Sequence, residues 1–187
     1  MAVLANFHPR ELWLGTNPPS PELQRIILEA NDLHIPVILH YAGEESEFGG
    51  AQIRFLAPPT SIASLPSRPN DESLVMKISF GKTSALLEGD AEKKTERQLL
   101  LENPQGDLLK VGHHGSSTST LPELIAAVHP RFAVISVGAR NLYRHPKGEV
   151  LDRLEQAGVT TYRTDADGAV TFYLDGKDVT SSDAGFH

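Results

Sequence analysis

One short stretch, Asp107 to Ser117, limits what this chain can fold into more than any other part of it. It begins with an apolar run, Leu108 to Val111, interrupted only by Lys110, which predicts a buried β-strand. Two histidines follow at once, enclosed by Gly112 and Gly115. Side chains placed just after a buried strand are held rigidly while they face the solvent edge of the sheet. Neutral imidazole is a common transition-metal ligand, so the stretch favours a functional site over a polar turn with surface histidines.

A second apolar segment upstream ends in a similar way. Ser73 to Phe80 and Thr83 to Glu88 predict a β-hairpin closed by Gly81 and Lys82, and Gly89-Asp90 follows the second strand just before a helical run. A carboxylate at this sheet edge can bridge two metal ions about 3.5–4 Å apart, which one imidazole cannot do. Asp is also a good helix N-cap, and the two roles are compatible.

Strands alternate with helices in the second half of the chain, while paired strands dominate the middle. This order predicts an α/β fold, a sandwich of αββα type in which mixed sheets are covered by helices. We expect the strand 132–136 to run parallel to 107–111, with a crossover helix at 121–128. We also expect a last hairpin between 159–163 and 169–174, and a disordered tail from about 180.

Composition narrows the function classes. With 187 residues and 40% hydrophobic side chains the chain can bury one sizeable core, so a single domain, 1–187, is expected. The absence of cysteine excludes disulfides and thiolate zinc sites. No apolar run approaches the ~20 residues of a membrane helix, so we expect the polypeptide to be soluble as given. The net charge of −7 argues against a protein that coats nucleic acid.

The half that carries the histidines is nevertheless locally basic. From residue 108 to 163 there are seven Lys or Arg against four Asp or Glu. Several of the polar side chains fall in one loop, Ala139 to Lys147: Arg140, Asn141, Tyr143, Arg144 and His145. Cations and hydrogen-bond donors are what a phosphodiester needs to be held and oriented. An ordinary exposed loop is the alternative on these residues alone.

Gly89-Asp90 followed by Lys110-Val-Gly-His-His-Gly-Ser116 resembles the metallo-β-lactamase superfamily, and more narrowly the nuclease domain of ComEC-type DNA-uptake (competence) proteins. Further stretches fit the same pattern: Asn6 to Leu14, Asn70 to Val75, Asn141 to Pro146 and Tyr162 to Gly168. The family's cluster His-x-(His/Asp)-x-Asp-His is not present in the chain. The resemblance therefore implies the C-terminal portion of a metallo-β-lactamase-like αββα domain whose N-terminal part is missing.

The resemblance also implies roles for particular residues. Two divalent metal ions, zinc or manganese, would be expected in the intact domain, with Asp90 bridging them and His113 or His114 as a ligand. His145 and Asp90 would be catalytic. The substrate-binding side chains implied are Arg140, Asn141, Arg144 and Ser116. We expect Asp90 to lie within ~8 Å of one of the two histidines.

The function implied is a nuclease that acts on single-stranded DNA during DNA uptake, inactive as this fragment because the first ligand cluster is lacking. The parent would be a membrane channel protein, with this domain on the outer face of the bacterial cell membrane and no lipid contact of its own. Two alternatives remain open. One is another hydrolase of the superfamily, acting on esters or lactams; the other is a degenerate binding or scaffolding domain without metal chemistry.

Overall fold

The computed structural model describes residues 2–15, 20–59 and 69–183. The helices and strands, in chain order, are α1 (Ala2–Phe7), β1 (Leu12–Leu14), α2 (Pro21–Asp32), β2 (Val37–Leu39), β3 (Glu45–Phe48), β4 (Ala51–Ala57), β5 (Val75–Phe80), β6 (Thr83–Leu87), α3 (Lys93–Leu99), β7 (Leu108–Lys110), α4 (Pro122–Val128), β8 (Phe132–Ile135), α5 (Gly148–Gln156), β9 (Thr160–Arg163), β10 (Val170–Leu174) and β11 (Val179–Asp183). Two short 3₁₀ helices, Pro69–Glu72 and Gly112–Gly115, precede β5 and follow β7.

A seven-stranded mixed sheet in the order β3-β4-β5-β6-β7-β8-β9 forms the centre of the molecule. β3 to β6 are antiparallel neighbours, and β6 to β9 are parallel neighbours. The main core contains the buried side chains of this sheet, such as Leu86 and Leu109, together with Leu99 of α3, Leu124 of α4 and Leu154 of α5. One face of the sheet is therefore sealed by the three helices, as an α/β fold requires.

The expected hairpin and crossover are both present. β5 and β6 are joined across Phe80 and Thr83, so Gly81 and Lys82 form the turn that the sequence predicted. β7 and β8 are parallel, and α4 is the crossover between them. A parallel connection needs such a helix because the chain must return to the starting end of the sheet.

The predicted last hairpin is wrong. β9 pairs with β8 in parallel at the edge of the large sheet, and β10 pairs instead with β11 in a separate antiparallel sheet. The carboxylate of Asp175 accepts hydrogen bonds from the backbone N–H groups of Lys177 and Asp178, both 2.7 Å long, and so builds the turn between β10 and β11. Of the tail that we expected to be disordered from about 180, the residues up to Asp183 belong to β11, and residues 184–187 lie outside the described residues.

β1 and β2 form a parallel pair, and Leu4, Ala30 and Ile35 are the buried centre of a second, smaller core beside them. α2 begins as its sequence predicts, with Ser20 as N-cap and Pro21 at the first helical position. Among the described residues, no helix combines the length and the apolar composition that crossing a membrane would require.

Candidate functional site

Three loops meet at one edge of the large sheet. Gly89-Asp90 follows β6, the 3₁₀ turn Gly112–Gly115 follows β7, and the segment 136–147 follows β8. Because β6, β7 and β8 are parallel neighbours, their carboxyl ends lie side by side. Gly115 is needed for this approach: a Cβ there would lie 2.6 Å from Cβ of Pro146. The backbone N–H of Lys147 donates to the Gly115 carbonyl at 2.9 Å and ties the third loop to the turn.

Asp90 and His114 face one another across this edge. Oδ1 of Asp90 lies 3.5 Å from Nε2 of His114, and both side chains are about half exposed. Nδ1 of His114 lies 2.6 Å from the carbonyl oxygen of Ser136. A carbonyl only accepts, so Nδ1 carries the proton, and the lone pair of Nε2 is left to face Asp90 when the imidazole is neutral. The predicted convergence of Asp90 with one of the two histidines is confirmed.

His113 is oriented differently from His114. Its Nδ1 lies 3.2 Å from Oε1 of Glu92, and its backbone N–H donates to the Gly89 carbonyl at 3.1 Å. Both histidines have left-handed backbones, with φ of 44° and 56°. Such a conformation costs about 1–2 kcal/mol for a residue with a Cβ, and strain of this kind is typical of functional sites. Glu92 was not predicted as part of the site because a Glu just before a helix reads as an ordinary first-turn acid.

The loop after β8 brings His145 to the same cluster. Its ring centroid is 5.8 Å from that of His113 and 5.8 Å from that of Tyr143, on which it stacks with an interplanar angle of 11°. Burial lowers the pKa of His145 below its usual value, and the nearby Lys147 and His113 lower that pKa further. Both effects favour the neutral form of the His145 imidazole.

Asn141 occupies the centre of this loop. Its Nδ2 donates to the carbonyls of Gly138 and His145 at 2.8 and 2.9 Å, and its Oδ1 accepts the N–H of His145 at 2.7 Å. Both amide protons and the amide oxygen are thus used by the loop's own backbone. The structure gives Asn141 a clamping position, whereas the sequence suggested that it binds substrate directly.

The remaining predicted substrate-binding residues differ in accessibility. Ser116 is buried, and its hydroxyl lies 2.9 Å from Oγ1 of Thr118. Arg140 and Arg144 are exposed, and their guanidinium groups have no hydrogen-bond or ion-pair partner in the described part of the chain. The two arginines are available to an external anion, and Ser116 is not.

The N-cap role considered for Asp90 is not found. α3 begins after Glu92, whose side chain makes no capping hydrogen bond, and the N–H of Asp90 is bound by Oγ of Ser73 at 3.2 Å. The Asp90 carboxylate is therefore left to face His114 and solvent.

Two buried acids beneath the site were missed by sequence reasoning. Glu88, the residue after β6, is fully buried, and neither carboxyl oxygen has a hydrogen-bond partner among the described residues. Burial raises its pKa well above the usual value, and the neighbouring Glu96 raises it further. The carboxylate of Glu96 accepts the backbone N–H groups of Thr120 and Leu121. For Glu88, the signal available in the sequence was a charged residue at the end of an apolar strand.

The donor set at this edge fits part of a metal site. Two ligands at 2.0–2.2 Å from a tetrahedral metal lie roughly 3.3–3.6 Å apart, and the Asp90–His114 separation of 3.5 Å matches. The described ranges contain no group of three or more His, Cys, Asp or Glu side chains placed to hold a metal ion. The chain thus offers two well-placed donors and not a closed tetrahedral set.

Comparison with known proteins identifies relatives of the chain. No family model matches it. It is 32% identical over 154 residues to ComE operon protein 3 of Bacillus subtilis, and 33% identical over 138 residues to competence protein ComA of Neisseria gonorrhoeae. These alignments cover 81% and 72% of this chain. The chain is a homologue of ComEC-type competence proteins. It spans about a fifth of the length of these competence proteins, 20% in both cases.

A solved structure shares the fold of this competence-protein homologue. CmlA, a diiron β-hydroxylase from Streptomyces venezuelae, matches with a TM-score of 0.52 and 14% identity, over 82% of this chain and 38% of that chain. At this identity the likeness concerns the fold alone. The predicted metallo-β-lactamase-like α/β fold class is confirmed.

Proposed function

We propose that this chain is part of a metal-dependent phosphodiesterase domain that acts on DNA strands during DNA uptake. The observation that carries the proposal is the Asp90–His114 pair, with Nδ1 of His114 fixed by the Ser136 carbonyl and with Nε2 directed at the carboxylate. Such an arrangement orients an imidazole for a metal rather than for packing. The homology to competence proteins supports DNA as the substrate.

In this proposal Asp90 and His114 hold a divalent ion, zinc or manganese, and further ligands come from the parent protein. When bound, the ion supplies Lewis-acid stabilisation of charge on the phosphate oxygens. His113 is held by Glu92 and helps to keep the turn in place. The alignments cover only 20% of the length of each of the two homologues named above, which is consistent with ligands contributed from elsewhere.

The chain's own residues would bind and orient the phosphodiester. Arg140 and Arg144 lie on the loop beside the pair without partners among the described residues, and a guanidinium matches two phosphate oxygens at once. Burial lowers the pKa of His145 and so favours its neutral imidazole, which can take up a proton from the attacking water. The parent would place this domain at the outer face of the bacterial membrane.

A binding or scaffolding domain without metal chemistry is the second candidate. It is favoured by the lack of a three-ligand cluster in the described ranges. The two candidates differ in whether Asp90 and His114 bind metal at all.

Calorimetric titration of the chain with Mn²⁺ tests the proposal. We expect weak binding, because two ligands fall short of a closed site, and we expect Asp90→Asn or His114→Ala to abolish it. His34→Ala, an exposed histidine at the end of α2, is the matched control and should bind as the unchanged chain does. Unaltered Mn²⁺ binding in His114→Ala would remove the basis of the proposal and favour the scaffold.

Hydrolysis of a base-free diester, bis(p-nitrophenyl) phosphate, tests the chemistry separately. We expect little or no turnover by this chain alone, and turnover that depends on Asp90 and His145 in the full-length parent. Rapid turnover by the isolated chain would contradict the incomplete site.

A further inference from the structure

The loop 138–147 exposes an unusual amount of apolar surface beside the Asp90–His114 pair. Tyr143 is 76% exposed and Leu142 is 95% exposed. Large exposed apolar side chains that sit together next to polar groups mark interaction sites more often than chance exposure does. Because Tyr143 stacks on His145 and is still largely exposed, it offers ring surface to a ligand at the site.

Hydrogen bonds hold the backbone on both sides of the Tyr143 ring. Nζ of Lys147 donates to the Tyr143 carbonyl at 2.8 Å, and Asn141 clamps the backbone on either side of Tyr143 through Gly138 and His145. A preorganised aromatic surface loses little conformational entropy when a ligand stacks on it. The ring of Tyr143 therefore forms a preorganised surface, called the platform below, on which a flat ligand can stack.

The platform adjoins a cavity and free positive charge. A cavity of about 480 Å³ is lined by His114, Gly138, Asn141, Tyr143, His145 and Thr164. Arg140 and Arg144 flank Tyr143 along the chain and have no partners in the described part of the protein. In a chain of net charge −7, two free arginines beside an open aromatic ring match a polyanion that carries flat apolar groups.

We propose that Tyr143 stacks on an unpaired base of single-stranded DNA, next to the phosphodiester that Arg140 and Arg144 bind beside the Asp90–His114 pair. This rests on the proposed function and adds to it a residue, Tyr143, that contacts an unpaired base. In a duplex both faces of each base are covered by neighbouring pairs, so the ring has nothing to stack on. Every base has a π-face, so the recognition is independent of sequence.

The test is fluorescence anisotropy of a labelled dT12 oligonucleotide with the intact chain, in the presence of Mn²⁺. We expect Tyr143→Ala to weaken binding by roughly 5- to 150-fold, the range for one lost base stack. Tyr143→Phe should restore the affinity, because stacking needs the ring and not the hydroxyl. Tyr173→Ala, a 58% exposed tyrosine on β10, is the matched control and should bind as the unchanged chain does.

An abasic oligonucleotide and a salt series separate stacking from charge. The unchanged chain should bind the abasic strand as weakly as Tyr143→Ala binds dT12, and duplex DNA more weakly than dT12. Arg140→Gln should make the fall of log affinity with log salt concentration less steep, whereas Tyr143→Ala should leave that slope unchanged.

Equal affinity of Tyr143→Ala and the unchanged chain for dT12, or equal affinity of the unchanged chain for dT12 and the abasic strand, would overturn the stacking proposal. So would a failure of the unchanged chain to bind dT12. None of these results bears on the base-free diester or on Mn²⁺ binding, so the proposed function would stand or fall separately.

Discussion

At the scale of single residues, a buried acid lies beneath the sheet edge that carries Asp90 and His114. Glu88 packs so closely beneath the histidine turn that a Cβ on Gly112 would lie 2.5 Å from its Oε2. A carboxyl that is fully buried without a hydrogen-bond partner is far more stable neutral than charged. Glu88 is therefore protonated in the folded chain at a pH where it is ionised in the unfolded chain.

Glu88→Gln should change how stability depends on pH. Above the unfolded pKa of ~4.3 the unfolded chain binds fewer protons at residue 88 than the folded chain, so the free energy of unfolding falls as pH rises towards the raised folded pKa. Gln does not titrate, so Glu88→Gln should lose less stability than the unchanged chain between pH 5 and pH 8. Urea unfolding at the two pH values measures this.

Glu123→Gln on the exposed face of α4 is the control for that experiment and should keep the original pH dependence. Glu96, whose pKa is also raised by burial, keeps part of the pH dependence in every variant. Identical slopes for Glu88→Gln and the unchanged chain would show that Glu88 is ionised in the folded state.

At the scale of elements, the loop after β8 owes its shape to one amide. Asn141 makes three hydrogen bonds to the backbone at 138 and 145, and these fix the position of His145 relative to the turn after β7. The sequence pattern suggested that Asn141 binds substrate. Its geometry assigns it to the loop, of which Tyr143 and His145 line the same cavity as His114.

Asn141→Ala should loosen this loop without unfolding the protein. Removal of three partly exposed hydrogen bonds should cost about 1–3 kcal/mol locally, and the amide of His145 should exchange its hydrogen much faster. Hydrogen exchange followed by mass spectrometry measures the effect. Asn31→Ala, an exposed position in α2, should leave exchange in the loop unchanged, and unchanged exchange in Asn141→Ala would show that the clamp is not needed.

At the scale of the whole molecule, the β10–β11 pair is held to the large sheet mainly by aromatic packing. Phe172 of β10 lies 5.7 Å from Phe132 and 5.5 Å from Tyr162, measured between ring centroids. Arg131 and Asp178 add an exposed ion pair, which is worth little by comparison. The three rings hold this small sheet in place together with the 2.9 Å hydrogen bond between Tyr162 and Ser181 and the bond from the Lys82 N–H to the Gly176 carbonyl.

Phe172→Ala should detach β10 and β11 while the large sheet stays folded. We expect faster hydrogen exchange and faster proteolysis over 170–183, with protection of β5 to β8 retained. Tyr173→Ala, on the opposite face of the same strand, should change neither. Loss of protection throughout the large sheet in Phe172→Ala would instead show that the two sheets unfold as one unit.

The sequence by itself determined the β5–β6 hairpin, the crossover helix α4 and the parallel order of β7 and β8. These follow from local periodicity, turn residues and crossover length, which short stretches of chain express on their own. The same logic placed Asp90 and the histidines at one edge, because successive parallel strands end on the same side. The sequence alone also showed the resemblance of Gly89-Asp90 and the His-His-Gly turn to competence proteins. The competence proteins of Bacillus subtilis and Neisseria gonorrhoeae confirm it.

Only the tertiary structure decided which imidazole faces Asp90, since that depends on a hydrogen bond from His114 to Ser136, 22 residues away. It likewise decided the pairing of β10 with β11 and the burial of Glu88. Contacts between residues distant in the chain leave no periodic pattern in the sequence. They are settled by packing and hydrogen-bond satisfaction once the sheet has formed.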